Sequence, residues 1–513
     1  MYSSLLSLSV VGIGAYLVQI ETHIDNQLPN FTIVGLPDSS VKESRERVTA
    51  AIKNSDFVFP NKKITVNLAP ADIRKEGSAF DLPIALGILA STGIIDYNEL
   101  KDYAFLGELS LEGTFRSIRG ALPIAIECKK QSIKKLILPK QNVNEAALVD
   151  GIDVIGVDNL KQVVEYLKNE IEILPTRVDL DSIFDVSKQD ELINLKDVKG
   201  QENVKRALEV AAAGGHNLLM IGPPGSGKTM LAKRITTILP PMTLDEALET
   251  TKIHSVSGFL PENTPLITIR PFRSPHHTIS DAALVGGGMN KIRPGEISLA
   301  HHGVLFLDEL PEFARNVLEV MRQPLEDKKI IISRTKTTIE YPANFMLICS
   351  MNPCPCGNYG NPQKECSCTP QKIHNYLSKI SGPLLDRIDI HIDVPAVKYQ
   401  ELSSKREGEP SETVRNRVIK ARKIQLKRFE GTGIFKNADM GPKEIKKFCQ
   451  LDSQSENLLK NAMEKMGLSA RAYNRILKVS RTIADLSNSE NITVVHLSEA
   501  IQYRSLDRDY WNM

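Results

Sequence analysis

The eight residues Gly222, Pro223, Pro224, Gly225, Ser226, Gly227, Lys228 and Thr229 fit the pattern G-x-x-x-x-G-K-[ST]. They follow the apolar run Asn217–Ile221 and precede Met230-Leu-Ala-Lys-Arg, a plausible helix. Glycines let backbone N–H groups turn inward around phosphate oxygens, and a helix N-terminus adds a favourable dipole. In such a loop Lys228 should reach the β- and γ-phosphates of ATP, and the Thr229 hydroxyl should ligate Mg2+. About 80 residues later, Val304-Leu-Phe-Leu runs into Asp308 and Glu309. Asp308 suits Mg2+ coordination, and Glu309 suits polarising a water for attack on the γ-phosphate. A third apolar run, Phe345–Ser350, ends at Met351-Asn352. Asn352 is either a holder of the attacking water or an ordinary loop asparagine. Arg387 and Arg471 could supply positive charge to the γ-phosphate, and a surface ion pair fits each equally well.

Four of the seven cysteines fall within fifteen residues, as Cys354-Pro-Cys356 and Cys366-Ser-Cys368. Pro355, Gly357, Gly360 and Pro362 favour turns that fold the two pairs back on each other. Four thiolates in a tetrahedron suit a closed, structural Zn2+ site. Free thiols or a redox role are the alternative. The adjacent pairs His276-His277 and His301-His302, if carried on strands, point to opposite faces and make no bidentate site.

These residues need elements to position them. The chain has 513 residues with 42% hydrophobic and 25% charged residues, ordinary for a globular protein of about three domains. Residues 1–170 read as an α/β domain, with strands at Ala15–Ile20, Phe31–Val34, Lys63–Leu68 and Tyr103–Gly107 and helices at Ser39–Lys53 and Asp81–Ala90. Residues 171–193 read as an acidic linker. Residues 194–395 read as a second α/β domain whose short apolar strands suit a parallel sheet covered on both faces. Residues 396–513 read as helical, with Ser469 a candidate helix cap. The apolar N-terminus lacks a basic region, its first Lys being Lys42, and is too short to span a bilayer. It reads as a strand, in a protein of the reducing cytoplasm, with no membrane partner.

Together these motifs resemble an AAA+ ATPase of the Mg-chelatase-like YifB/ComM family, over nearly the whole chain. Asp197-Val-Lys-Gly-Gln201 resembles the segment lining the adenine pocket. Arg273–Ser280 and Gly286-Gly-Gly288 look like the insert between the two Walker motifs, and Asn352–Gly357 like sensor 1 plus a cysteine cluster. Arg387 matches the trans arginine finger and Arg471 the sensor 2 of a helical lid. Leu28–Asp38 and Asn67–Asp72 resemble a Lon-protease-like domain. The implied fold is a Lon-protease-like α/β domain, an AAA+ P-loop core and a C-terminal helical lid. The resemblance implies a homo-oligomeric ring, a hexamer, with each ATP site shared between neighbours. It also implies a DNA motor acting in recombination or natural transformation; an ATP-dependent protein remodeller and a metal-chelatase motor subunit are the alternatives. Proteolysis is not expected: Ser78 falls near the nucleophile position, but Leu122 stands where the activating Lys belongs.

Two segments could touch DNA. Asp327–Tyr341 reads as a hairpin turning at Thr335-Lys336, charged by Lys328, Lys329, Arg334 and Lys336. Arg415–Arg428 holds seven basic residues and no acid; as a helix it would bury Val418, Ala421, Ile424 and Gln425 and turn its basic residues outward. A solvated helix is the plain alternative. From residue 396 onward there are 22 Lys+Arg against 15 Asp+Glu, in a chain whose net charge is +2.

Overall fold

The computed structural model describes all residues except 185–192, 262–263, 289–291, 335–336, 362–363, 398–400, 402–406 and 507–513. The chain divides into two compact units: Met1–Asp185 with Leu244–Thr268, and Val186–Thr243 with Ile269–Met513.

The first unit is built on a seven-stranded mixed sheet, in the order Asn30–Val34, Lys63–Ala69, Gly14–Asp25, Tyr2–Val11, Tyr103–Phe105, Lys135–Pro139, Asp153–Val157. The apolar N-terminus forms two strands, paired antiparallel from Tyr2↔His23 to Val11↔Gly14. Gly12, at φ 58, supplies the left-handed residue that this short turn requires. Alternation sends Leu5, Val18 and Ile20 into one core, against helices Ser39–Asn54 and Asp81–Ser91. Leu8, Leu136 and Leu138 enter the other, against helix Ala121–Lys130.

Helix Leu244–Ser257 belongs to this unit although it falls inside the run 194–395. Helical periodicity says which face is apolar, not which core receives it. Its Ser255 hydroxyl donates to the buried Glu145. Glu145 Oε1 also accepts the Leu122 N–H at 2.8 Å, at the start of helix Ala121–Lys130. Burial raises the Glu145 carboxyl above its ordinary pKa. The linker expected at 171–193 is partly built: the Thr176 N–H donates to the Val154 carbonyl at 2.9 Å, and Leu180–Ile183 is a short helix.

The second unit carries a five-stranded parallel sheet, in the order Phe272–Arg273, Val304–Leu307, Met346–Met351, Leu218–Ile221, Ile390–Asp393. Leu218, Met220, Val304, Phe306, Met346 and Ile348 enter one core. Leu219, Ile221, Leu305, Leu307, Leu347 and Cys349 enter the other. Both faces are therefore covered, which is why each strand reads as a continuous apolar run. Truncating a wholly buried side chain such as Phe306 to alanine should cost about 3–5 kcal/mol. Helices Glu202–Gly214, Ser411–Arg428 and Ala470–Leu486 pack on the first face. Ser469 caps the last of these, its hydroxyl accepting the Ala472 N–H at 3.2 Å.

Helix Ser411–Arg428 buries Val414, Val418, Ala421 and Gln425, while Ile424 is only half-buried. Its basic residues are not all outward. Arg417 pairs with Glu209 and Glu409, Arg422 donates to the carbonyls of Ala212 and Ala213, and Arg428 pairs with Asp485. A run of like charge in sequence hides these partners, which come from helices Glu202–Gly214 and Ala470–Leu486 and, for Glu409, from the residues just before the helix. Lys420, Lys423 and Lys427 remain exposed. The hairpin forms as strands Lys329–Arg334 and Thr337–Pro342. Lys328 pairs with Asp439, and Lys329 with Glu340 at 3.1 Å. Thr335 and Lys336, where the turn is expected, lie outside the described residues.

Candidate functional site

Strand Leu218–Ile221 delivers the chain into the glycine loop, and helix Lys228–Arg234 follows it. A Cβ on Gly222 would lie 2.2 Å from the Val394 carbonyl oxygen, so the close approach there admits only glycine. Gly225 and Gly227 take φ 77 and φ 88, the left-handed region that lets the loop curl. Lys228 Nζ donates to the carbonyls of Gly222 and Pro223 at 2.8 and 2.9 Å, and to Asn352 Oδ1 at 3.2 Å. Burial lowers the Lys228 pKa, while Asp308 and Glu309 oppose that fall. From the side, Gln201 Nε2 donates to the Ser226 carbonyl at 2.9 Å.

Strand register assembles the rest. Val304–Leu307 pairs with Met346–Met351 so that Leu307 faces Cys349, which brings Asp308 beside Ser350. Ser350 donates to Asp308 Oδ1, and Thr229 Oγ1 donates to Asp308 Oδ2 at 2.6 Å. Ser350 went unnoticed in the sequence; its signal was a hydroxyl near the end of an otherwise apolar strand. Glu309 adopts φ 54, uncommon for a residue with a side chain. Its carboxylate is largely exposed and lies 3.6 Å from His277 Nδ1. The histidine rings do not diverge as strand geometry predicted: their centroids are 4.1 Å apart for His276–His277 and 3.9 Å for His301–His302. Neither pair lies on a strand, so the alternation rule does not apply.

Lys228, Thr229, Asp308, Glu309 and Asn352 thus collect at the C-terminal edge of the parallel sheet. The two arginines do not. Arg387 lies three residues before the start of strand Ile390–Asp393, and its carbonyl accepts from Asn217 Nδ2 at 3.0 Å. From Asn217 to Gly222 the chain runs the length of the sheet, about 16 Å at roughly 3.3 Å per residue. Arg387 is buried, with 6% of its surface exposed. It pairs with Glu326 and donates from Nη1 to the Pro383 carbonyl at 2.5 Å, while its buried Nε has no partner. Arg471 is exposed, its Nη1 3.8 Å from Asp386 Oδ2. Both arginines therefore stand at the opposite edge from the glycine loop of the same chain.

The four cysteines converge. The sulfurs of Cys354, Cys356 and Cys366 lie 3.3, 3.5 and 3.7 Å apart, and that of Cys368 joins them within 4.8 Å. All four are free thiols. A tetrahedral Zn2+ with Zn–S near 2.3 Å needs sulfurs about 3.8 Å apart, so the donor set fits that ion. The Asn358 backbone N–H draws the Cys356 thiol down, while, against backbone N–H bonds, desolvation and the neighbouring thiols push those of Cys366 and Cys368 up. This loop also touches the phosphate loop: a Cβ on Gly357 would lie 2.4 Å from Pro224 Cδ. Pro362, counted among its turn residues, lies outside the described residues. In the first unit, Ser78 donates to Glu108, and Leu122 is fully buried.

A five-stranded parallel sheet with a glycine loop, paired carboxylates and a packed helical region defines an AAA+ type ATPase core. Family models for magnesium chelatase subunit ChlI match residues 194–402, and those for its C-terminal part match 408–504. A further model for subunit ChlI of Mg-chelatase matches residues 20–142. The chain is 48% identical over 501 residues to competence protein ComM of Haemophilus influenzae, covering 97% of this chain and 96% of that one. It is 45% identical over 511 residues to the uncharacterized protein YifB of Escherichia coli, covering 98% of each. A shorter likeness, 30% over 156 residues, links it to Lon protease 2 of Bacillus subtilis, covering 27% of this chain and 26% of that one. The chain belongs to the YifB/ComM family, with magnesium-chelatase-like architecture. Membership supports an ATPase motor and implies ATP and Mg2+. Among the described residues no helix is long and apolar enough to cross a membrane.

Proposed function

We propose that the chain is an ATP-driven DNA motor that works as a homo-oligomeric ring, a hexamer, in which each ATP is held by one subunit and hydrolysed with arginines from the next. The observation that carries this reading is the separation of the site into two edges of one sheet. Lys228 and the loop amides hold the phosphates, and Thr229 and Asp308 hold the Mg2+ that neutralises the β- and γ-oxygens. Asn352, at 3.2 Å from Lys228 Nζ, positions the attacking water, and Glu309 takes its proton. Arg387 and Arg471 cannot reach their own loop, so they serve a neighbour's.

DNA as substrate is supported by the name of the Haemophilus relative, a competence protein, and by the exposed lysines of helix Ser411–Arg428. The four cysteines hold a structural Zn2+ that fixes the loop beyond Asn352. The first unit serves as a non-proteolytic platform, since Ser78 meets a carboxylate and not a lysine. The likeness to a Lon protease favours a second reading, in which that platform presents protein substrates to the motor.

Steady-state ATP turnover with single-stranded DNA, duplex, a four-way junction and an unfolded protein tests these readings, with Glu309→Gln as control. Stimulation by DNA that weakens with salt is expected. Turnover raised by the unfolded protein and indifferent to every DNA would overturn the first reading in favour of the second. Zinc well below one equivalent per chain, in protein purified without chelator, would remove the metal.

A further inference from the structure

The arginine edge of the sheet carries a second polar feature. A cavity of about 280 Å3 opens there, lined by Asn217, Phe345 and the lid residues Lys436, Ala438, Asp439 and Met440. Five cationic side chains line it: Lys328, Arg387, Lys436, Arg475 and Lys478. Only three carboxylates oppose them, Glu326, Asp389 and Asp439.

Lys328, Arg387 and Arg475 are ion-paired, with Asp439, Glu326 and Asp389, whereas Lys436 and Lys478 rest on neutral groups. Lys436 Nζ donates to Asn344 Oδ1 at 3.1 Å and Lys478 Nζ to the Ala438 carbonyl at 2.9 Å, neutral acceptors in both cases. Arg475 pairs with Asp389 and Arg387 with Glu326, yet the Nε of each is buried without a partner. Burial draws Lys436 down to about 8; Asp439 opposes this, and Lys328, Arg422 and Arg270 add repulsion. An anion entering the cavity would meet the Lys436 and Lys478 ammonium groups, each of which has three N–H donors and one acceptor here, and relieve that repulsion.

We propose that this cavity binds a phosphate-class oligoanion, held by the ammonium groups of Lys436 and Lys478 beside the guanidinium groups of Arg387 and Arg475. It is a different site from the glycine loop, about 16 Å away along the sheet. The guanidinium forks and ammonium groups suit tetrahedral phosphate oxygens, which accept several donors at once. Two sources share that chemistry: a free oligophosphate, or the ATP phosphates held by a neighbouring copy. The first needs only the charges of the wall; the second rests on the ring proposed above.

The experiment uses full-length protein carrying Lys228→Ala, which disables the glycine loop, titrated calorimetrically with tripolyphosphate at a concentration where light scattering shows monomers. One site per chain is expected. Adding Lys436→Met and Lys478→Met should weaken it at least tenfold. Glu326→Gln should tighten it several-fold, an opposite sign that misfolding cannot produce. In parallel, ATP turnover and ATP affinity are measured for the two lysine variants in the otherwise unaltered, assembled protein. Weakened tripolyphosphate binding with unaltered turnover supports a free oligoanion. Weakened tripolyphosphate binding with slowed turnover and unchanged ATP affinity supports a neighbour's phosphate. Lysine variants that leave tripolyphosphate binding unchanged overturn the proposal, whatever becomes of the DNA-motor reading.

Discussion

The two edges of the parallel sheet are built on opposite plans. At the C-terminal edge the charged groups are already held by neutral hydrogen-bond partners: Lys228 rests on carbonyls and Asn352, and Asp308 is held by both Thr229 and Ser350. At the N-terminal edge cations outnumber carboxylates, and two arginine Nε groups are buried without partners. One edge is a preorganised seat, in which donors and acceptors are fixed before a nucleotide arrives. The other is charge held in reserve, restrained by Glu326 and Asp389. On the proposed shared-site reading neither completes a hydrolytic site alone, and the ion pair of Arg387 with Glu326 in one chain must open before Arg387 can serve another.

The sharpest way to break that comparison is to remove one member of each edge. Arg387→Ala should lower turnover by about 10³-fold or more, the scale of an arginine that stabilises transferring phosphate. Lys228→Ala should abolish nucleotide binding. Mixing the two inactive proteins should restore measurable turnover, because some interfaces then join an intact loop to an intact arginine. If the mixture stays as dead as its parts, the edges do not meet across a subunit boundary.

A smaller effect separates the cysteine loop from the phosphate loop. Gly357 sits at φ 78, and a Cβ there would press into the Pro224 ring. Gly357→Ala should therefore raise KM for ATP, by roughly tenfold (about 1.4 kcal/mol of displaced loop), with zinc content unchanged. Wild-type KM in that variant would show that the two loops move independently.

The preorganised edge was legible in the sequence because its chemistry is nearly contiguous. Eight residues write the phosphate loop, two adjacent acids end an apolar run, and a third such run ends at Asn352. The reserve edge was not legible. Glu326 reaches Arg387 across 61 positions, and Lys436 and Lys478 reach the cavity from different parts of the lid. No spacing rule connects residues that meet only through packing. The helix Ser411–Arg428 failed for the same reason: its sequence shows basic residues but not the acids and carbonyls that consume Arg417, Arg422 and Arg428. Helix Leu244–Ser257 is not among the elements read from the sequence, and nothing local assigns it to the first unit's core.

Ser350 tests how far preorganisation of the first edge matters, and its effect should be the smallest. Its hydroxyl donates to one oxygen of Asp308 while Thr229 holds the other. A hydrogen bond to a charged group is worth about 1.5–3 kcal/mol. Much of that should survive Ser350→Ala, since Asp308 keeps Thr229 and its own neighbour's N–H, that of Glu309, at 3.1 Å. The expected loss is roughly 1 kcal/mol, or about fivefold in apparent Mg2+ affinity. It should appear as a shift in the Mg2+ dependence of turnover, with the rate at saturating Mg2+ unchanged, because Ser350 orients a ligand and does not touch the reacting atoms. A fall in the saturated rate with no shift in Mg2+ dependence would instead place Ser350 in the chemistry, and the edge would be less of a passive seat than its hydrogen bonds suggest.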